Sequence, residues 1–480
     1  MLGLASLATL CCVSAGAQHA ASPYTLSATP LPAAPSAVAR TLKLLGGFAV
    51  ATEQPDAVRL TLDQAIQLGL KDNTELIVRA QQEKFVRGQI LTVANSLLPN
   101  LEATAYSNAQ EINLAARGFN PSTVHPAGFS GSIPTIVKVN VTSAQLSLTQ
   151  QLTVPAYFLF RAAQKSAEAS NWATLGARGA VVQTVGGLYL RTLADEAELA
   201  NASALIKQDE VVYQHAKASQ DAGVGISLDV LRAQVQLQSE QQAAVRAENA
   251  VGKDKIQLNR AMGQPAGQAL DLVDTVPFAG FEVMSIEEAT RVASEKRKDL
   301  RGLEAQLEVA AKARQAVKYE RLPTLGVGGF YGLIGETTGL YHGNFVAQGQ
   351  LQIPIFQEAT LRGQREVAQG QQIGLERQID GLKNQIEAEI RSSMLDVQSA
   401  AELVKVARSN VGLATEALSD ATERFTAGVD DNLPVVRAQA SLVGAQDRVV
   451  QAEFQYNFAK LTLARNTGVL ETQYRRYLGQ

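Results

Sequence analysis

From Ser143 to Val154 the chain alternates in character, with Gln150 as the one break. Ser143, Gln145, Ser147, Thr149, Gln151 and Thr153 hold the odd positions, while Ala144, Leu146, Leu148, Leu152 and Val154 fall on even ones. A period of two over such a length predicts a strand with one apolar face and one uncharged, hydrogen-bonding face. The pattern returns where Gln348, Gln350 and Gln352 alternate with Phe345, Ala347, Leu351 and Ile353. A facing strand precedes each ribbon, the second containing "LGVGGFYGLI" at 325–334. The predicted strands are about 101–109, 137–154, 324–335 and 343–354, giving one hairpin in each half, with a longer loop in the first. Taken alone, one such hairpin fits a half-buried sheet in a soluble domain equally well.

After each ribbon the period becomes helical. No proline lies between Pro155 and Pro265 or between Pro354 and Pro434, so helices can run over about 157–222 and 359–427. At about 1.5 Å per residue each would be on the order of 100 Å long. Returning helices are predicted over about 228–262 and 433–467. The second returning helix carries a 4-3 repeat of Ala438, Leu442, Ala445, Val449, Ala452, Tyr456, Ala459 and Leu463, a coiled-coil seam. The first keeps part of that seam but places Glu240 and Asp254 in register with it.

The two halves are copies of one unit. "AGVGISLDVLRAQVQL" at 222–237 and "AGVDDNLPVVRAQASL" at 427–442 share nine of sixteen residues at an offset of 205. "LTLDQAIQLGLKDNTEL" at 60–76 aligns with "MSIEEATRVASEKRKDL" at 284–300, and both Leu-Pro pairs (Pro99, Pro323) keep that offset of 224. "QLTVP" matches "QLQIP", and "LNRAMG" matches "LARNTG". Four collinear blocks point to tandem duplication, with a first repeat over 57–265 and a second over 280–470, leaving 471–480 as a C-terminal tail. Each repeat opens with capping-box spacing, Thr61 with Gln64 and Ser285 with Glu288, on a helix expected to continue to its Leu-Pro pair. At the turns, Gly223 and Gly428 suit a left-handed helix end, and Ser227 or Asn432 suits a cap on the returning helix.

Composition narrows the class. Aromatics are 5%, and the net charge of -3 recommends no nucleic-acid partner. Residues 1–17 read as a signal peptide, apolar from Leu2 to Val13 and ending in Ala15-Gly16-Ala17, although no Lys or Arg precedes the apolar run. It contains both cysteines, Cys11 and Cys12, in poor lipid-attachment contexts, so a processed chain would have neither a disulfide nor a thiol. Residues 18–56 form an Ala/Pro-rich arm. No metal is expected, because His19, His125, His215 and His342 are scattered. "GVGG" at 326–329 fails phosphate-loop spacing, and no nucleophile–base signature or cofactor motif is present. A non-enzyme is expected. Four strands with an apolar face would leave unpaired edges in lipid, and outer-membrane barrels need about eight or more strands. A homo-oligomer follows, for which a dimer or a trimer would serve.

With the order of these blocks in place, residues 57–470 resemble TolC-like outer-membrane efflux proteins. The resemblance implies a mostly α fold with a shared transmembrane β-barrel: a homotrimer whose twelve-stranded barrel continues as an α-helical coiled-coil tunnel. It implies a passive exit duct in outer-membrane lipid, with helices in the periplasm. The implied partners are a periplasmic adaptor (membrane fusion protein) and an inner-membrane transporter, in a tripartite efflux or type I secretion system. Ser143, Gln145, Ser147, Thr149, Gln151, Gln348, Gln350 and Gln352 would then line the barrel lumen. Gly223, Val224, Ser227, Leu228, Arg232, Gly428, Val429, Leu433 and Arg437 would form the periplasmic tips and adaptor contacts, with pairing to neighbouring helices as the competing role of Arg232 and Arg437. Asp430 and Asp431 are gate candidates, with ordinary turn chemistry as the competing role. The family's usual gating carboxylates fall slightly later, at positions matching Pro434 and Arg437, so an acidic ring here would sit at the extreme tip. The other class compatible with the sequence is a pore-less periplasmic coiled-coil adaptor or scaffold.

Overall fold

The computed structural model describes residues 57–118, 135–274, 280–281, 284–427, 429–430 and 433–479. The chain divides into two units, Met1–Gln54 and Pro55–Gln480, and every described residue belongs to the second. The signal-peptide and arm expectations fall outside the described residues.

Strand β1 (Val58–Leu60) leads into α1 (Leu62–Asp72) and α2 (Thr74–Ala94). Strands β2 (Asn100–Asn113) and β3 (Ile136–Leu152) follow, then the long helix α3 (Val154–Asp221) and its return α4 (Ser227–Met262). After β4 (Leu270–Leu272) the order recurs as α5 (Ile286–Lys296), α6 (Lys298–Tyr319), β5 (Thr324–Glu336), β6 (Tyr341–Gln352), α7 (Glu358–Thr426) and α8 (Leu433–Asn466). A last helix, α9, spans Leu470–Leu478. No described helix is long and apolar enough to cross a membrane.

The first helix of each repeat is broken, contrary to the continuous helix expected. Thr61 and Gln64 do form a reciprocal capping box at the start of α1. At Asn73 the backbone turns extended, and its side-chain oxygen accepts the Glu75 and Leu76 N–H groups that open α2. Arg297 makes the same extended break between α5 and α6, at the equivalent position. Both residues tie the break to a long hairpin: Asn73 donates to the Ala261 carbonyl at 2.8 Å, and Arg297 meets Glu389 of α7 at 2.5 Å. These long-range bonds offset the helical bonds given up.

Val154, placed in a strand by alternation, instead opens α3. Thr153 accepts the Ala156 N–H, and Pro155 occupies the first turn, where a missing N–H costs nothing. In the second repeat the helix starts later, at Glu358, leaving Ile355 and Phe356 94% and 90% exposed. The expected tail is largely α9: Leu470, Tyr474, Tyr477 and Leu478 recur at helical spacing and are buried. Arg475 pairs with Asp63 of α1 at 2.6 Å, and Tyr474 donates to the same carboxylate.

The core lies where the short helices meet the long ones, around Ile66, Tyr189, Leu258, Ile390, Leu461 and Tyr477. Each large apolar side chain buried there contributes roughly 1.5–3 kcal/mol. The parallel pair β1–β4 bridges the start of the first repeat and the linker, with Val58 opposite Leu270. Asp274, just past β4, accepts the Leu62 N–H at 2.7 Å and the Tyr189 hydroxyl at 3.0 Å. Burial raises the Tyr189 hydroxyl well above its ordinary pKa, so it stays a donor.

Candidate functional site

The four longer strands form one open antiparallel sheet in the order β2-β3-β5-β6. The β3–β5 pairing, Ser143 opposite Ile334 through Leu152 opposite Leu325, joins the two repeats. Directly opposed residues share a face, so the register decides what each face presents. Gln151, Gly326 and Gln350 lie abreast, as do Thr149, Gly328 and Gln348. All eight expected lumen residues therefore stand on one face, with Gly326, Gly328 and Gly332 between the rows of β3 and β6, and Phe330, Ile334 and Val346 share that face. On the opposite face Leu101 lies beside Leu148, Ala103 beside Leu146, and Leu146 beside Tyr331, which faces Phe345. Leu101, Tyr331, Phe345 and Leu351 are 65%, 67%, 73% and 62% exposed on this chain.

The glycines of β5 permit close strand approach. A Cβ at Gly332 would lie 2.5 Å from the Ala144 carbonyl oxygen, and one at Gly329 would lie 2.3 Å from that of Val346. Either addition would force neighbouring backbone to move.

The alternation that begins at Ser143 is not continued in the same sense toward the start of β3, where the two faces exchange character. Val137, Val139 and Val141 continue the polar face, whereas Lys138, Asn140 and Thr142 continue the apolar one. There Lys138 lies 3.7 Å from Glu111, and the Thr142 hydroxyl lies 3.0 Å from Ser107 and 3.2 Å from Thr337. The apolar band thus ends near Ala144 and Leu333. On β5 it runs from Leu325 to Leu333, and nine residues at about 3.4 Å each span roughly 30 Å.

At the far ends of the long helices lie the two turns. In the first, Gly223 adopts φ +76° and its N–H bonds the Gln220 carbonyl at 2.9 Å. Val224 and Gly225 donate to Ser219 at 3.1 and 2.8 Å, closing α3. Ser227 does not cap α4: the cap position is Ile226, without a side-chain bond, and Ser227 is the first helical residue. The turn is as long as expected but stands one residue earlier in the chain, so Ser227 falls inside the helix. Val224 is 83% exposed and Leu228 is also exposed, while Arg232 lies 3.5 Å from Asp229.

In the second turn Val429 is exposed and its N–H bonds the Arg424 carbonyl at 3.0 Å. Asp430 points back to Arg424, Nε to Oδ2 at 2.7 Å. That partner, six residues away, went unnoticed in the sequence; the i, i+6 spacing becomes a contact only because the helix ends between them. Leu433 begins α8 half-buried, and Arg437 is exposed. Gly428, Asp431 and Asn432 lie outside the described residues. Among the described residues no group of three or more His, Cys, Asp or Glu side chains could hold a metal ion.

Comparison with known proteins agrees with this geometry. The sequence model of the family described as "Outer membrane efflux protein" matches residues 65–264 and 290–469. "Probable efflux pump outer membrane protein TtgC" of Pseudomonas putida is 22% identical over 414 residues, covering 83% of this chain and 82% of that protein. "Pyoverdine export outer membrane protein OpmQ" of Pseudomonas aeruginosa is 22% identical over 399 residues, 81% of each. Among solved structures, the Campylobacter jejuni CmeC outer membrane channel superposes with a TM-score of 0.74 at 14% identity, over 85% of this chain and 86% of that one. The outer membrane protein VceC of Vibrio cholerae gives 0.71 at 16% identity, over 85% and 96%.

Proposed function

The chain belongs to the outer membrane efflux protein family and is an outer-membrane protein, and on that premise we propose that it is the passive, trimeric exit duct of a tripartite efflux or type I secretion system. The observation that carries this reading is the two-faced open sheet. One face is an apolar band interrupted by Gln150, the other is mostly Gln, Ser, Thr and Gly with Phe330 and Val346 among them, and both edges, β2 and β6, are open. In lipid such edges must be paired. Four strands from each of three copies would close a twelve-stranded barrel, apolar outside and polar within. A band of roughly 30 Å along tilted strands suits the apolar height of about 25 Å that such barrels present.

In this arrangement α3, α4, α7 and α8 continue the barrel as a tunnel toward the periplasm. The tips, with Gly223, Val224, Ser227, Leu228, Arg232, Gly428, Val429, Leu433 and Arg437, would meet the helical hairpins of a periplasmic adaptor, which links the duct to an inner-membrane transporter. Exposed valines at both turns support that role. Asp430 and Asp431 would gather six carboxylates around the threefold axis and favour cations there, with Arg424 compensating part of that charge. We assign the chain no catalytic step.

Fractionation tests the reading: heat-modifiable trimers in the outer membrane that conduct in planar bilayers are expected, and a soluble periplasmic monomer would overturn it. For the gate, Asp430→Asn with Asp431→Asn should change single-channel conductance and cation preference. Unchanged values would remove these residues from that role.

A further inference from the structure

The seam of the first helical hairpin contains four carboxyls that the second hairpin lacks. Asp209 and Asp254 are 3% exposed and Glu240 is 7% exposed. Asp195 is partly buried, and in the antiparallel register of α3 and α4 it stands level with Asp254 as Asp209 does with Glu240, whose carboxylate accepts from Gln236 at 3.0 Å. The two pairs are two heptads apart on both helices: 195 and 209 on α3, 240 and 254 on α4. At the repeat offset of 205 the corresponding positions of α7 and α8 are Ala400, Ala414, Ala445 and Ala459. All four alanines are buried.

The charged surroundings differ between the pairs. Around the upper pair, Arg191 of α3 approaches Asp254 at 2.9 Å, and Glu198 of α3 adds negative charge near Asp195. Lys255 of α4 is engaged by Glu196 at 2.7 Å. Around the lower pair, Asp447 of α8 brings a third carboxyl toward Glu240, opposed by Arg246 of α4, and Asp447 itself lies near Glu198 and Asn201 of α3. Oδ2 of both Asp195 and Asp209 is buried without a hydrogen-bond partner among the described residues. Two ionised carboxylates facing each other in a dry seam repel, whereas one proton between them turns the pair into a hydrogen bond.

We propose that the first helical hairpin carries a proton-operated latch: Asp195–Asp254 and Asp209–Glu240 hold α3 against α4 while each pair keeps a proton, and loosen that hairpin, not the second, when the protons leave. Loss of water pushes the Asp195 and Asp209 carboxyls up to about 6, and raises Glu240 and Asp447 above the ordinary carboxylate range. The lower pair lies fifteen residues from Val224, roughly 22 Å from the turn. On the duct reading above, release would therefore widen or soften the periplasmic end of the tunnel as pH rises.

Hydrogen–deuterium exchange of the purified full chain, corrected for intrinsic rates, tests the latch. Between about pH 5 and about pH 7.5, α3 from Asp195 to Asp221 and α4 from Ser227 to Asp254 should lose protection about tenfold or more. The matching parts of α7 and α8 should change less than about twofold. The volume-matched variant Asp195→Asn, Asp209→Asn, Glu240→Gln should remove the difference. An equal response in both hairpins, no response, or a response surviving in the neutral variant would overturn the proposal. If the variant does not fold, the comparison of hairpins within the unmodified chain still decides. Conductance of the same preparation separates the two readings. A conducting channel with no hairpin difference overturns the latch alone; a hairpin difference in a chain that never conducts overturns the duct alone.

Discussion

Hairpin α3–α4 and hairpin α7–α8 have nearly equal arms, 68 and 36 residues against 69 and 34. Both turn after an Ala-Gly-Val sequence, yet they bury different chemistry at equivalent positions. Spacing alone puts a residue in the seam; what stands there then decides whether the contact is permanent or conditional. Alanines at 400, 414, 445 and 459 let α7 and α8 approach at any pH. Carboxyls at 195, 209 and 240 make the same approach depend on protonation. The turns differ in parallel: Asp430 replaces Gly225 at the repeat offset, so an ion pair to Arg424 stands where the first turn has a backbone bond to Ser219.

The severest way to break this contrast is to build the lower acid pair into the second hairpin. Ala414→Asp with Ala445→Glu buries two ionisable groups, and should lower stability at neutral pH by about 4–6 kcal/mol. Much of that loss should be recovered below about pH 5. Thermal melting at both pH values checks it, and a pH-independent double variant would show that the seam environment differs between hairpins for some other reason.

A smaller effect comes from the native groups. The Asp209 carboxyl is raised from 3.8 to about 6, so the folded state binds the extra proton. Its contribution is greatest below about pH 4 and falls as pH rises through about 6, by about 3 kcal/mol. Asp209→Asn should remove that slope from denaturant titrations, and an unchanged slope would place the titration elsewhere.

Apolar seam positions sharpen the comparison further. Leu237 is buried in α4, while its counterpart Leu442 in α8 is half-buried. Leu237→Ala should cost about 2–3 kcal/mol and Leu442→Ala about 1 kcal/mol, measured by the same melts. The smallest change belongs to the first turn: Gly223→Ala, at φ +76°, should cost about 1 kcal/mol and raise exchange only around residues 219–228.

Some of this was legible in the sequence for identifiable reasons. The alternation at 143–152 and 348–352 fixed which residues share a sheet face, because side-chain direction in a strand follows from position alone. The proline-free runs marked the long helices, and Glu240 and Asp254 stood out as acids in an apolar register. Asp195 and Asp209 did not, because nothing local says that they face α4. The break at Arg297 carries no turn residue, and it is held by Glu389 from a helix 92 positions away.

By itself, then, the sequence determined the periods: which stretches are strands or helices, which face of each is apolar, and that the unit is written twice. Only the tertiary structure decided the meetings. It paired β3 with β5 across the repeats, closed Arg424 on Asp430, folded the last residues onto Asp63, and set Asp209 against Glu240. Periodicity is a property of neighbours along the chain and survives in a string of letters. A pairing between distant segments is chosen by the surface it buries and the charges it brings together, and those exist only once the chain has folded.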